Sequence, residues 1–196
     1  LGYRTAFFQS AKGSFEARPS LVKNLGFDSF WAREHSNDPN SFLGYLAADD
    51  FIMLDPVADW IKSDTRPFFA VTLCSAAHDP YEVPDWYGEP AKELEDRYTQ
   101  IISYTDRFLE NLDSRLTELG LKDNTIVCIV GDHAEALGEH GKFGHERIGF
   151  EEVLRIVWAI RSPTGLIPGS RIHTPVSSID VAPTLFALLG FDEQAG

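Results

Sequence analysis

Thr125-Ile126-Val127-Cys128-Ile129-Val130 runs directly into Gly131-Asp132-His133-Ala134-Glu135, followed by Gly138-Glu139-His140-Gly141-Lys142-Phe143-Gly144-His145. A short apolar, β-branched run predicts a buried strand, and in an open α/β sheet ligands collect at the C-terminal edge of such strands. Chemistry is therefore expected at Asp132 and His133. A carboxylate brings charge, and a neutral imidazole brings a lone pair whose direction a second hydrogen bond can fix, so the pair suits a divalent metal. Gly131 permits a tight backbone, and Gly138, Gly141 and Gly144 allow the next loop to fold back until His140 and His145 approach the same point. Three histidines within thirteen positions, with acids and Lys142, converge on one loop. The alternative is a polar loop in which Asp132 caps a helix and the histidines touch only water.

Outward from that loop, strand and helix signals alternate. Residues 3–8 and 68–73 are apolar runs expected as strands, with 27–31 a shorter one and 155–160 another after the glycine-rich loop. Residues 9–14 are a small-residue loop. A helix is expected over 15–25, weakened by Pro19 and stopped by Gly26. Residues 35–42, rich in Ser, Asn, Asp and Pro, are expected as loop. Asp55-Pro56 resembles an N-cap followed by proline at the first helical position, opening a helix through Ile61. A long loop with three prolines spans 74–90, and loops of that length are usually functional. The clearest helix covers 91–119, where Leu94, Tyr98, Ile101, Ile102, Thr105, Phe108, Leu112, Leu116 and Leu119 form one apolar stripe. Its charged residues, Glu93, Asp96, Arg107, Glu110 and Glu118, are expected on a solvated face. A last helix, capped by Ser178 or Asp180, carries Ile179, Ala182, Leu185, Phe186 and Leu189 and ends at Gly190. One domain of βαβ type accounts for these elements, and no internal repeat is present.

Composition narrows the function. The 196 residues can bury a real core, and 43% hydrophobic with 24% charged residues describes a globular chain. A net charge of −13 disfavours a nucleic-acid or anionic-membrane surface. An anionic substrate then requires a locally positive pocket, which a metal ion could supply. No apolar run approaches the roughly 20 residues of a membrane span, so this segment is expected to make no membrane contact itself. Cys74 and Cys128 sit in apolar runs and read as small core residues, not as a disulfide. The chain opens at Leu1 in a core-strand pattern, which leads to the expectation that an N-terminal part is missing.

A second polar cluster, Cys74-Ser75-Ala76-Ala77-His78-Asp79-Pro80-Tyr81, follows the run at 68–73. Parallel strands deliver their C-terminal ends to one edge, so His78 either faces Asp132 and His133 across a cleft or caps a turn before Pro80. A zinc-protease reading needs His-Glu-x-x-His, and His145-Glu146-Arg147-Ile148-Gly149 fails at its last position.

Gly131-Asp132-His133-Ala134-Glu135 with Gly138-Glu139-His140-Gly141, then Phe150-Glu151-Glu152-Val153-Leu154-Arg155 and Ser178-Ile179-Asp180-Val181-Ala182-Pro183-Thr184-Leu185, resembles the C-terminal half of a sulfatase catalytic domain in the alkaline phosphatase superfamily. Gly2-Tyr3-Arg4-Thr5-Ala6-Phe7-Phe8, Gly13-Ser14-Phe15 and Leu25-Gly26-Phe27-Asp28 resemble the branch holding lipoteichoic acid synthases and phosphoglycerol transferases. The resemblance implies an alkaline phosphatase-like α/β fold, with a mostly parallel central sheet and helices on both faces. Residues 1–196 would then be a partial sulfatase-like catalytic domain.

By this resemblance Asp132 and His133 are ligands of a divalent metal (Ca²⁺, Mg²⁺, Mn²⁺ or Zn²⁺), and His78 contacts the substrate's anionic group or leaving oxygen. His145, with Lys142, takes the place of the basic residue on the transferred group, and His140 joins this catalytic set. The substrate would be a small-molecule, glycan or lipid ester of sulfate or phosphate. The parent protein would be anchored in the inner membrane, with its catalytic domain outside the cytoplasm. One departure is Gln9, where lipoteichoic acid synthases carry histidine, since glutamine cannot bear a proton as imidazolium. The family attacks with formylglycine from a Cys/Ser-x-Pro-x-Arg motif or with threonine, and neither Cys74 nor Cys128 has that sequel. The nucleophile and the first acidic metal ligand are therefore expected upstream of Leu1, and residues 1–196 alone are expected to be inactive. The other class of function is a non-catalytic relative, a binding module that kept the sheet and lost the chemistry.

Overall fold

The computed structural model describes residues 2–145 and 149–191, which pack as two compact units, Leu1–Gly120 and Leu121–Gly196. In the first unit β1 (Arg4–Gln9) is followed by α1 (Arg18–Asn24) and β2 (Ser29–Trp31). Next come the short pair β3 (Phe42–Leu43) and β4 (Ala47–Ala48), then α2 (Leu54–Lys62), β5 (Phe68–Leu73) and α3 (Leu94–Glu118). β1 lies between β2 and β5, and both pairings are parallel, with Phe8 opposite Trp31 and Gln9 opposite Leu73. The connection after β1 leads to one neighbour, and the chain later returns to the other side. That reversal is the topological switch point at which α/β folds bind ligands, and Ser10 and Cys74 leave the sheet there side by side.

Local chemistry explains where element boundaries differ from expectation. The helix expected over 15–25 begins only at Arg18, because Pro19 has no N–H and fits a helix only in its first turn. A 3-10 turn, Phe15–Ala17, precedes it, with Glu16 at φ 51°. Asp55 is not the cap of α2. A 3-10 turn over Asp50–Met53 leads into that helix, and Asp49 caps this turn by accepting from the Phe51 N–H at 3.0 Å. β3 and β4 close a hairpin that begins at Phe42, the last residue of the expected loop 35–42, and runs through a stretch for which no element was expected. Buried Arg33 holds it by donating to the carbonyls of Tyr45, Leu46 and Ala47 at 3.3, 2.8 and 2.9 Å.

α3 buries Ile101, Tyr104, Phe108 and Leu116, spaced at helical steps. The stripe is thus centred one residue away from Ile102, which is 47% exposed. The named charged residues of this helix are all exposed, as expected. Ile101 and Tyr104 close a core with Ala76, Tyr81 and Val83 from the 74–90 loop. That loop is therefore packed down, although it contains no strand or α-helix. Truncating Ile101 or Phe108 to alanine would cost about 2–5 kcal/mol.

The second unit contains β6 (Val127–Val130), β7 (Ala136–Leu137), β8 (Phe143–Gly144), α4 (Glu151–Leu154), β9 (Trp158–Arg161) and α5 (Val181–Leu188). The strand expected over 155–160 starts later, since Glu151–Leu154 form one helical turn. β9 pairs with β6 antiparallel, Cys128 facing Ile160. A parallel return needs a long crossover, usually a helix, and residues 131–157 hold no helix longer than one turn among those described. A 3-10 turn, Ser178–Asp180, precedes α5. Ser177 caps this turn, and the Asp180 carboxylate accepts from the Ser177 N–H at 2.8 Å. Asp180, one of the two expected caps, holds the N-cap position of α5 without a side-chain cap hydrogen bond, and Ser178 does not hold it. Gly190, at φ 74°, ends α5 as expected.

Candidate active site

β6 delivers Gly131, Asp132 and His133 at its C-terminal end. The Gly131 N–H donates to the Val157 carbonyl at 3.0 Å, and Ala134 N–H to Val153 at 2.8 Å. A Cβ on Gly131 would lie 3.4 Å from Ile156, at the limit of ordinary van der Waals contact. Asp132 Oδ1 accepts from the His133 N–H at 2.9 Å. His133 Nδ1 lies 3.0 Å from the Ala134 carbonyl, which assigns the ring proton to Nδ1 and leaves the Nε2 lone pair open. That Nε2 stands 3.7 Å from Asp132 Oδ2. With metal–ligand bonds of about 2.0–2.2 Å, one ion can touch both atoms. The donor chemistry and the fixed tautomer fit a divalent cation as a two-donor half-site. Among the described residues no group of three or more His, Cys, Asp or Glu side chains converges to hold a metal.

The loop beyond folds back as its glycines suggested. β7 and β8 form an antiparallel pair, Ala136 opposite Gly144 and Leu137 opposite Phe143. The residues flanking that pair, Glu135 and His145, therefore meet. His145 Nδ1 donates to the Glu135 carboxylate, at 3.2 and 3.3 Å from its two oxygens, and the Glu135 side chain is only 6% exposed. The His145 imidazole then stacks on His133, with ring centroids 3.9 Å apart. Gly138, at φ 128°, and Gly141 and Gly144 take backbone conformations costly for other residues in this turn.

Asp132, His133 and His145 are thus brought together. His140 makes its contacts elsewhere: Nδ1 lies 2.8 Å from Glu152 Oε1, and the ring stacks on Phe150 at 4.2 Å. The Glu152 carboxyl is held below its ordinary value by its own backbone N–H and by His140. His140 adopts φ 53°, a left-handed conformation that is strained for a non-glycine residue. Lys142 is exposed on the turn. Glu146, Arg147 and Ile148 of the failed zinc-protease pattern lie outside the described residues.

In the first unit, His78 closes a turn before Pro80, the second of the two readings offered for it. Its N–H closes a turn on the Ser75 carbonyl at 3.1 Å, and its Nδ1 lies 2.9 Å from the Asp79 carbonyl. The ring also lines a small cleft with Tyr45, Leu46, Ala76 and Glu82, and meets the Tyr45 ring edge-on at 6.0 Å. Gln9 is fully buried, and its amide nitrogen donates to the carbonyls of Ala11 and Lys12 at 3.4 and 3.0 Å. Both cysteines are free thiols. Burial pushes the Cys74 thiol well above its ordinary value, and the nearby Asp50 charge adds to this, so it is a poor nucleophile.

Asp50 was missed at the sequence level. It is fully buried at the sheet edge, with Ser10 donating to its Oδ1 and the Ser75 N–H donating to the same atom at 2.9 Å. Burial, opposed by those hydrogen bonds, raises its carboxyl from 3.8 to about 6. The available signal was an acidic pair, Asp49-Asp50, inside the otherwise apolar stretch 46–54.

Comparison with known proteins agrees with the fold and the motifs. The family described as Sulfatase matches residues 1–191. The chain is 28% identical over 206 residues to lipoteichoic acid synthase 1 of Bacillus subtilis, covering 98% of this chain and 32% of that protein. The crystal structure of the lipoteichoic acid synthase LtaP from Listeria monocytogenes superposes with a TM-score of 0.82 at 22% identity, over 98% of this chain and 51% of that one. An alkaline phosphatase superfamily protein from Vibrio parahaemolyticus gives 0.78 at 22% identity, over 98% and 46%. The chain spans about a third of the length of the curated relative and about half of each solved chain. The fold is α/β with a parallel sheet and helices, shared with the alkaline phosphatase superfamily. From the order of its motifs and the span of the match, this chain belongs to the sulfatase family.

Proposed function

We propose that this chain is part of a metal-dependent catalytic domain that transfers a phosphate-ester group, of the phosphoglycerol-transferase kind, onto an acceptor alcohol. The observation that carries the reading is the Asp132–His133 half-site, with the His133 tautomer fixed by the Ala134 carbonyl and His145 stacked against it. The resemblance to lipoteichoic acid synthases favours phosphate over sulfate esters.

A bound divalent ion would supply positive charge that polarises the ester and favours the ionised nucleophile. Asp132 contributes a carboxylate and His133 its Nε2 lone pair to hold that ion. His145, oriented by buried Glu135 through Nδ1–H, presents Nε2, which donates to the equatorial oxygens of the transferred group when the ring carries its second proton, with Lys142 adding charge from the turn. His78 is assigned to the leaving oxygen or the anionic group, and the Ser75 turn fixes the backbone at that residue. The attacking group and the remaining metal ligands come from residues outside this chain, so residues 1–196 are inactive alone. The parent protein is anchored in the membrane with this domain outside the cytoplasm; among the described residues no helix is long and apolar enough to cross a membrane.

Hydrolysis, with water as acceptor, is the second reading. It is favoured by Gln9, whose amide is spent on the turn after β1. The full-length protein, incubated with a glycerophosphodiester lipid, Mn²⁺ and an acceptor alcohol, separates the two by its product, a new diester or a free phosphomonoester. Asp132→Asn and His133→Ala are each expected to lower turnover by about 100-fold or more, in the range seen when a transition-state charge stabiliser is removed. Full turnover in both variants would sink the reading.

A further inference from the structure

The C-terminal ends of β1 and β5 are joined by a buried polar cluster with more hydrogen bonds than a turn requires. Ser10, the residue after β1, donates its hydroxyl proton to Asp50 Oδ1. Ser75, two residues beyond β5, has its Oγ 2.6 Å from Ser10 Oγ, and since the Ser10 proton is committed to Asp50, Ser75 is the donor. The Ser75 and Ala76 N–H groups point at the same Asp50 oxygen, at 2.9 and 3.4 Å. The Ser75 carbonyl in turn accepts from the His78 N–H at 3.1 Å, so a continuous path of hydrogen bonds runs from the carboxylate to the histidine. From the other side α3 locks the backbone of Asp50. The Tyr104 hydroxyl accepts from the Asp50 N–H at 2.6 Å and donates to Asp49 Oδ1 at 2.7 Å, while the Trp86 indole donates to Asp49 Oδ2 at 2.6 Å.

A carboxylate here costs stability. It is wholly buried, and among the described residues Oδ2 has no hydrogen-bond partner and no cation pairs with it. A neutral side chain of similar shape would hold the two loop starts with a smaller desolvation penalty. What the charge adds is a strong, directional acceptor for two successive backbone N–H groups, which fixes the path of residues 75–78.

We propose that Asp50 is a positioning residue for His78, tying the turn that carries this histidine to the end of β1 through Ser10, Ser75 and the Ala76 N–H. The proposal rests on the assignment of His78 to the transferred group. The titratable groups facing Asp50 are its chain neighbour Asp49, Tyr104 from α3 and the Cys74 thiol at the end of β5. Burial and both aspartates hold Tyr104 far above its ordinary value, and Cys74 is likewise raised, so neither titrates between about pH 5 and 8.

Two measurements test the proposal. In the 196-residue chain, NMR followed from about pH 5 to 8 should show the Ser75 amide shifting with an inflection near pH 6, where Asp50 ionises. The His78 amide shift, taken as the difference between wild type and Asp50→Asn so that the imidazole's own titration cancels, should carry the same inflection. In Asp50→Asn the Ser75 amide loses it, with the circular dichroism spectrum unchanged. In the full-length protein Asp50→Asn is expected to lower kcat by about 10- to 100-fold with KM within about twofold, as for loss of a group that orients a reacting one. A Ser75 inflection that His78 does not share, or an Asp50→Asn enzyme with unaltered kcat, overturns the proposal. Absence of turnover in the wild-type full-length protein would instead overturn the assigned reaction, and the NMR comparison alone would then decide whether Asp50 positions His78.

Discussion

Replacing Asp50 with asparagine should make stability less dependent on pH, and the structure gives the size of the effect. Burial outweighs the hydrogen bonds from Ser10, Ser75 and Ala76 and raises this carboxyl from 3.8 to about 6. At 1.36 kcal/mol per tenfold change, the displacement corresponds to roughly 3 kcal/mol. The folded protein binds the proton more tightly than the unfolded chain. The associated stability is therefore fully present below pH 3.8 and is lost as pH rises through about 6. Asparagine has no proton to bind and lacks this slope. Urea titrations of both proteins, followed by tryptophan fluorescence at several pH values, give the difference in unfolding free energy, which cancels all titrations the two share. That difference should move in favour of the wild type on acidification, with about half of the total appearing between pH 8 and pH 5. A difference that stays constant across this interval would refute the placement of an ionisable Asp50 in a dry site.

Three other outcomes follow from the same packing. Tyr104→Phe removes the acceptor of the buried Asp50 N–H and the donor to Asp49, and should cost about 1–3 kcal/mol in chemical denaturation. Arg4→Met leaves the carbonyls of Trp60, Ile61 and Asp64 without the guanidinium that donates to them at 2.5, 2.5 and 2.7 Å. A loss of about 2–5 kcal/mol is expected, measured as a lowered thermal midpoint. Glu152, whose carboxyl lies below the ordinary 4.5, contributes stability that is present above that value and fades as pH falls through its lowered one. Glu152→Gln should remove this acid-side slope and free the His140 ring from its pairing, seen as a shift of the His140 NMR signals.

Much of the fold was legible because it rests on short-range patterns. The β-branched run before Gly131, the run at 68–73 and the helical spacing of Ile101, Phe108 and Leu116 each state their element locally, and β5 spans the predicted residues. Boundaries failed where a neighbouring side chain decided them. Asp49 moved the start of α2, Pro19 delayed α1, and Arg33 stabilised a hairpin that its own residues do not announce. The pairing of β9 with β6 was equally hidden, since strand direction depends on the connection and not on the composition of either strand.

The candidate site divides in the same way. The sequence alone determined the family, the strand-to-loop position of Asp132 and His133, and the return of His145, because glycines at fixed offsets dictate a turn. Tertiary structure decided which partners orient those groups: Glu135 for His145, the Ala134 carbonyl for His133, and Glu152 with Phe150 for His140. It alone brought together Ser10, Asp50 and Ser75, which are far apart in sequence and carry no motif. Burial sets the energy of a polar group, and burial is a property of what surrounds a residue in space, which its own stretch of chain does not contain.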